Sequence, residues 1–135
     1  MCKHHLIRLV LPIRTEAYGR RGCEAPRFVR RSWRLARKLL NIYIRDCVYS
    51  RLLCAHYRLE AIEPFLEVPL DSFVAKGVTA EAMERGQTRR LPKWSTIKGL
   101  ERAEFDRYQA FASELAAERG HARIHLDVVL WGARD

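Results

Sequence analysis

The longest helical pattern of hydrophobic residues runs from Phe28 to about Tyr57, a stretch without glycine or proline. Its apolar residues recur at steps of four and three, which is the spacing of an amphipathic α-helix with one buried stripe. The members of this stripe are Val29, Trp33, Ala36, Leu40, Tyr43 and Cys47. The pattern predicts a long helix that buries them, and it leaves open whether the helix breaks near residues 46–50.

Polar residues lie on a neighbouring face of the same predicted helix. At about 100° per residue they fall within an arc of about 100°. They are Arg30, Arg34, Arg37, Lys38, Asn41 and Arg45. With Asp46 as the acid nearby, this face carries more positive charge than solubility requires, and we expect it to contact the phosphates of a nucleic acid.

In the middle of the chain, turn and capping residues predict where short helices begin and end. Pro64 and Pro69 bracket an extended connection. Asp71 is then a favoured N-cap for a short helix that is predicted to end at Gly77. Residues 79–86 follow as a second short helix, with a threonine as N-cap and a glycine as stop.

A further amphipathic helix is predicted at residues 101–119, and a last helix at about residues 124–131. With no convincing pair of strands, the elements indicate an all-α fold, a compact orthogonal bundle of about five or six helices. The length of 135 residues suits a single domain. We expect a basic, poorly ordered N-terminal arm at residues 1–26 and one helical domain at residues 27–135.

The positive charge is concentrated in the first half of the chain. Residues 1–63 contain 14 Lys and Arg against 5 Asp and Glu, whereas residues 64–135 contain 11 of each kind. Localised positive charge favours a polyanionic partner, because neutralising phosphates releases condensed counterions. DNA is the expected partner, with an acidic membrane surface as a lesser rival. No segment has the roughly 18 apolar residues of a membrane span.

The four cysteines form neither a C-x-x-C pair nor a disulfide framework. They are Cys2, Cys23, Cys47 and Cys54. Reduced thiols in a cytoplasmic protein are the simplest interpretation, with association with the nucleoid if the protein is bacterial. We expect no metal and no cofactor, because a metal site needs three or four convergent ligands.

Asp71 and Lys38 each allow two interpretations. Asp71 is either only an N-cap, which stabilises a helix by about 0.5–2 kcal/mol, or a functional carboxylate beside a cationic helix. Lys38 is either one more phosphate-binding cation or a nucleophile. Cationic neighbours such as Arg34 and Arg37 favour the loss of the proton that an attacking lysine must lose.

The motif Arg37-Lys38-x-x-Asn41, followed by Val68-x-x-Asp71-Ser72-x-Val74, resembles the catalytic core of the helix-hairpin-helix DNA glycosylase superfamily. The resemblance covers about residues 32–131 and implies part of that fold. It also implies that Asp71 is the catalytic aspartate and Lys38 the Schiff-base nucleophile, with Asn41 and the arginines holding the helix and phosphates. The glycine-rich hairpin that precedes the lysine in that family is replaced by Arg31–Ala36.

The leading hypothesis is therefore a base-excision repair protein that binds DNA and cleaves the N-glycosidic bond of a damaged or mismatched base, with or without lyase activity. An alternative is a non-enzymatic, basic helical module that binds nucleic acid and in which Asp71 is only a cap. A third hypothesis is a helical interaction protein whose basic face binds an acidic partner.

Overall fold

This computed structural model describes residues 27–132, with side chains from Trp33 onward. The described residues form five α-helices and four 3-10 turns, joined by loops, and contain no β-strand. The α-helices are α1 Arg27–Tyr49, α2 Arg51–Tyr57, α3 Ser72–Glu84, α4 Arg102–Glu118 and α5 Leu126–Gly132. The 3-10 turns are Leu59–Ala61, Glu63–Phe65, Thr88–Arg90 and Arg123–His125. The prediction of an all-α bundle of five or six helices is confirmed. The predicted N-terminal arm, residues 1–26, lies outside the described residues.

The hydrophobic core is built by α3, α4 and α5. Val74 and Val78 of α3 are fully buried and pack with Phe105 and Tyr108 of α4 and with Leu126 at the start of α5. The residues before α3 belong to this core as well, since Val68 and Leu70 are each 1% exposed. The chain therefore enters α3 from inside the core, which leaves its first turn little freedom to move.

The predicted boundaries of the later helices agree with the structure to within a few residues. Helix α4 covers most of residues 101–119, and Gly120 follows it with a positive φ of 74° that suits glycine. The last predicted helix is present as the 3-10 turn Arg123–His125 continued by α5. The long first helix does break, at Ser50, between α1 and α2.

The prediction of a helix end at Gly77 is wrong, because α3 continues through Gly77 to Glu84. Thr79, predicted to cap a separate helix, lies inside α3, and its hydroxyl donates to the carbonyl oxygen of Ala75 at 2.7 Å. A Cβ at Gly77 would lie 3.0 Å from Leu130 of α5. The glycine therefore allows two helices to approach closely, and it does not terminate the first of them.

The prediction of a buried apolar stripe on α1 is also wrong. Leu40 is 46% exposed and Tyr43 is 68% exposed, whereas Arg34 and Asn41 are only 7% and 8% exposed. Of the stripe, Trp33 packs against the core from a half-buried position, and Val29 has no described side chain. The described side chains of the polar face are turned inward, because their partners are carboxylates and carbonyl groups at the surface of the α3–α5 core.

Candidate functional site

Asp71 is the N-cap of α3 and has the extended backbone that a cap requires, with φ −140° and ψ −175°. Its Oδ1 atom accepts the backbone N–H groups of Phe73 and Val74, each at 2.9 Å. These two bonds satisfy donors that the first turn of a helix otherwise leaves without partners. The positive end of the helix dipole also favours a carboxylate at this position. The predicted cap is therefore present, and it uses one of the two carboxylate oxygens.

The second carboxylate oxygen of Asp71 faces Lys38. The Lys38 Nζ atom donates to Asp71 Oδ2 at 3.1 Å, across 33 positions of sequence. The two side chains keep 22% and 30% of their surface exposed, so a ligand can reach both of them. The structure thus brings together the two residues that sequence analysis assigned to chemistry. A lysine becomes a nucleophile only after losing a proton.

Asn41 and Arg37 fasten α1 to the segment that leads to Asp71. The Asn41 Oδ1 atom accepts the Glu67 backbone N–H at 2.7 Å, and its Nδ2 donates to the Arg37 carbonyl oxygen at 2.9 Å. Arg37 binds the Glu67 carboxylate with two nitrogens, one of which is Nε at 2.9 Å from Oε2. Bidentate arginine–carboxylate pairs fix geometry as well as supplying energy. These contacts set the position of Lys38 relative to Asp71.

Arg34 and Arg45, the other described side chains of the predicted phosphate-binding face, also have partners within the chain. Arg45 forms ion pairs with Asp127 of α5 and, at 3.0 Å, with Asp46. Arg34 donates to the Lys98 carbonyl oxygen at 3.4 Å. The side chain of Arg30 lies outside the described residues. Phosphate binding by Arg37 or Arg45 would therefore compete with an internal carboxylate, whereas Arg34 has no carboxylate partner among the described residues.

Asp127 places a second carboxylate near Asp71, and sequence analysis missed it. Burial raises the pKa of the Asp127 carboxyl group above its ordinary value, an effect to which the charge of Asp71 adds. The charge of Arg45, its hydrogen bond and the Val128 N–H act in the opposite direction. An acidic residue inside the apolar run 126–131 is the signal that identifies this group, because burial of a carboxylate requires a partner.

Three hydrogen-bonded side chains connect the end of α1 to the 3-10 turns Arg123–His125 and Glu63–Phe65. The Tyr49 hydroxyl lies 2.8 Å from His125 Nδ1, and His125 Nε2 lies 2.6 Å from the Glu63 carboxylate. The tyrosine and histidine rings stack, with centroids 5.4 Å apart. Burial raises the pKa of Tyr49, so its phenol stays neutral and is a poor nucleophile. These contacts hold the end of α1 in place, and both ring nitrogens of His125 have hydrogen-bond partners.

Aromatic side chains surround the first turn of α3. The rings of Phe73 and Trp131 lie 4.2 Å apart between centroids. Trp94 packs edge-on against Tyr108 and directs its indole N–H to the Ser72 hydroxyl at 3.4 Å. Half of the Trp131 surface is exposed. The environment of Asp71 thus combines a carboxylate, an ammonium group and accessible aromatic surface.

Neither a metal centre nor a membrane-spanning helix is found in the described part of the chain. Over residues 27–132, no three or more histidine, cysteine or acidic side chains converge as metal ligands would. Cys47 and Cys54 are free thiols. None of the described helices combines the length and apolar character that a membrane-spanning segment requires.

Comparison of the chain with family models, with curated proteins and with solved structures gives no match.

Proposed function

We propose that this chain is a DNA-binding protein of the base-excision type, which acts on a damaged or mismatched base through Asp71 and Lys38. The observation that carries the proposal is the 3.1 Å contact between Lys38 Nζ and Asp71 Oδ2. Residues so distant in sequence meet on the surface only if the fold holds them together. The motif that predicted them requires such proximity, and capping alone does not explain the lysine.

The proposed chemistry assigns different tasks to the two groups. The base is flipped out of the duplex, and the bond between its nitrogen and the sugar C1′ breaks. The Asp71 carboxylate stabilises the positive charge that develops on the sugar, from a position fixed by its two backbone hydrogen bonds. Water or the deprotonated Lys38 amine then forms the new bond to C1′, and the departing base takes up the proton that the nucleophile loses. When the amine attacks, the C1′–O4′ bond of the sugar ring then opens and a Schiff base results.

The first test is competitive binding at physiological salt. The full chain is offered a duplex that contains one stable abasic-site analogue and the same duplex without it. A clear preference for the abasic analogue supports a pocket for a flipped nucleotide. Equal affinity for both duplexes, weakening steeply with salt, contradicts the pocket and leaves a nucleic-acid-binding domain.

The second test concerns the chemistry of the two residues. On a panel of duplexes that each contain one damaged base, Asp71→Asn is expected to lower any measured excision rate by at least about 100-fold. Borohydride reduction is expected to trap a covalent adduct with an abasic duplex, and Lys38→Met to abolish it. Lys76→Met is the matched control, because Lys76 is an exposed lysine on α3. Equal trapping in both methionine variants would contradict the role of Lys38.

A second candidate function is a nucleic-acid-binding module without chemistry. The two capping bonds of Asp71 favour it, since they account for the residue without a substrate. In that case Asp71→Asn leaves duplex affinity unchanged, because asparagine caps a helix nearly as well as aspartate. The wild-type protein would then excise no base from any duplex of the panel.

A further inference from the structure

A cleft of about 730 Å³ opens beside the N-terminal half of α1, and its lining includes neither Lys38 nor Asp71. One wall is formed by Trp33 and Arg34 of α1. The other is formed by the loop before α4 and by the first residues of that helix, including Lys98, Gly99 and Arg102. Arg34 and Lys38 are four positions apart, which is about one helical turn or 6 Å along the axis.

Arg34 is the unusual member of this cleft. The residue is 7% exposed, yet its Nε atom has no hydrogen-bond partner among the described residues. Its Nη1 atom makes one long bond to the Lys98 carbonyl oxygen, at 3.4 Å. A guanidinium group carries five N–H donors, and leaving a buried donor without an acceptor is costly. Because Arg34 lines the cleft, an acceptor group bound there would give this guanidinium group a further hydrogen-bond partner.

The charge of the cleft selects the kind of acceptor. Its lining contains three cations, Arg34, Lys98 and Arg102, and one carboxylate, Glu101, so its net charge is 3 − 1 = +2. Arg102 has Asp106 as an ion-pair partner, but that pair is exposed and therefore weak. An anion that binds here is attracted by two arginines and a lysine and is repelled by Glu101.

Trp33 holds the cations in place and does not offer a free face to a nucleobase. The guanidinium groups of Arg34, Arg37 and Arg102 lie 4.7, 5.4 and 5.3 Å from the centre of its ring. Phe105 packs against it edge-on at 5.3 Å. Cation–π contacts of this kind pre-orient arginines. The cleft is thus suited to a compact anion and not to a stacked aromatic ring.

We propose that this cleft binds a phosphate group, with Arg34 and Arg102 as its main donors and Lys98 as a third cation. Planar, forked guanidinium groups match the geometry of phosphate oxygens. This proposal goes beyond the proposed function, because it requires no chemistry at Asp71 and holds even if Asp71 is only a cap. The phosphate comes either from a nucleic-acid backbone that crosses the site or from free phosphate.

The test begins with inorganic phosphate and the full ¹⁵N-labelled chain. Phosphate is titrated at constant ionic strength against chloride, and chemical shifts are followed by NMR. Saturable shifts are expected at the Trp33 indole, the Gly99 amide and the Arg34 Nε–H. Shifts that grow linearly without saturation, or that spread over basic residues throughout the chain, would overturn the proposal.

Variants at exposed positions avoid disturbing the buried Arg34. The Lys98→Ala/Arg102→Ala double variant is expected to weaken phosphate binding by about tenfold, from two partly exposed charge contacts. Lys93→Ala/Arg107→Ala is the matched control, since it removes the same charges from the same loop and helix at exposed positions outside the lining. An equal loss in both double variants would overturn the proposal. Glu101→Gln should instead strengthen binding, and its failure to do so would also contradict the site.

The source of the phosphate is decided with the undamaged duplex used above. If a backbone phosphate occupies the cleft, the Lys98→Ala/Arg102→Ala variant lowers duplex affinity. The slope of log affinity against log salt then becomes shallower by about 0.9 for each phosphate that the variant no longer neutralises. If duplex affinity is unchanged while phosphate binding is weakened, the site is supported and free phosphate is its ligand. Failure of the glycosylase proposal leaves each of these results unaffected.

Discussion

The Gln109 side chain holds both backbone groups of Val68. Its Nε2 atom donates to the Val68 carbonyl oxygen at 2.9 Å, and its Oε1 atom accepts the Val68 N–H at 3.2 Å. Both residues are buried. The amide thus supplies the pairing that a neighbouring strand would otherwise give to this extended segment. Because Asp71 follows three residues later, the contact helps to determine where its carboxylate meets Lys38.

Replacement of Gln109 by methionine is expected to destabilise the protein by about 1–3 kcal/mol, since a buried N–H and a buried carbonyl group lose their partners. Urea unfolding measures the difference. Ser113→Ala, at an exposed position on the same helix, is the control and should stay within about 0.5 kcal/mol of the wild type. If the Gln109→Met variant were as stable as the wild type, the backbone N–H and carbonyl groups of Val68 would have other hydrogen-bond partners.

Substitutions of Asp71 separate its capping role from its charge. Asp71→Ala removes both backbone hydrogen bonds and should cost about 0.5–2 kcal/mol. Asp71→Asn keeps the cap and loses only the half-exposed ion pair with Lys38, which is worth up to about 1 kcal/mol. In thermal and urea unfolding, the Asp71→Asn variant should therefore be more stable than the Asp71→Ala variant. Equal destabilisation would show that the ion pair, and not the cap, stabilises the start of α3.

The close approach of α3 and α5 at Gly77 predicts a coupled pair of substitutions. A Cβ at Gly77 would lie 3.0 and 3.1 Å from the methyl carbons of Leu130. Gly77→Val should therefore cost about 1–3 kcal/mol through overpacking, and Leu130→Ala about 2–5 kcal/mol through a cavity. The double variant should lose less than the sum, by at least about 0.5 kcal/mol. Strict additivity in urea unfolding would contradict the contact.

Asp127 makes the stability of the protein depend on pH. Burial raises the pKa of its carboxyl group in the folded state. The folded protein therefore keeps this proton to a higher pH than the unfolded chain, in which the aspartate has a pKa of about 4. The associated stability is fully present below that pH and is lost as pH rises through the folded-state pKa.

The matching measurement compares the wild type with Asp127→Asn, which cannot titrate. The free energy of unfolding of the wild type, minus that of the variant, should fall as pH is raised from about 4. Urea unfolding at a series of pH values gives this difference. A rise over the same range would show that the ion pair with Arg45 outweighs the cost of burial.

The elements of this fold could be predicted because their signals are local. Amphipathic spacing marked α1 and α4, and a proline followed by an aspartate marked the start of α3. The end of α3 could not be predicted in the same way. A glycine that stops a helix and a glycine that admits a neighbouring helix look alike in sequence, and only the side chain of Leu130 distinguishes them.

By itself, the sequence determined that the chain is helical, that six polar residues share one face of α1, and that Asp71 caps a helix. Periodicity and capping depend on neighbours within a few positions, so they are readable without the fold. Only the tertiary structure decided that this polar face points inward, because its partners Glu67, Asp71 and Asp127 lie 30 to 82 positions away. Ion pairing at such separations depends on how helices pack, and packing also decided that Lys38 meets Asp71 while Arg34 faces an open cleft.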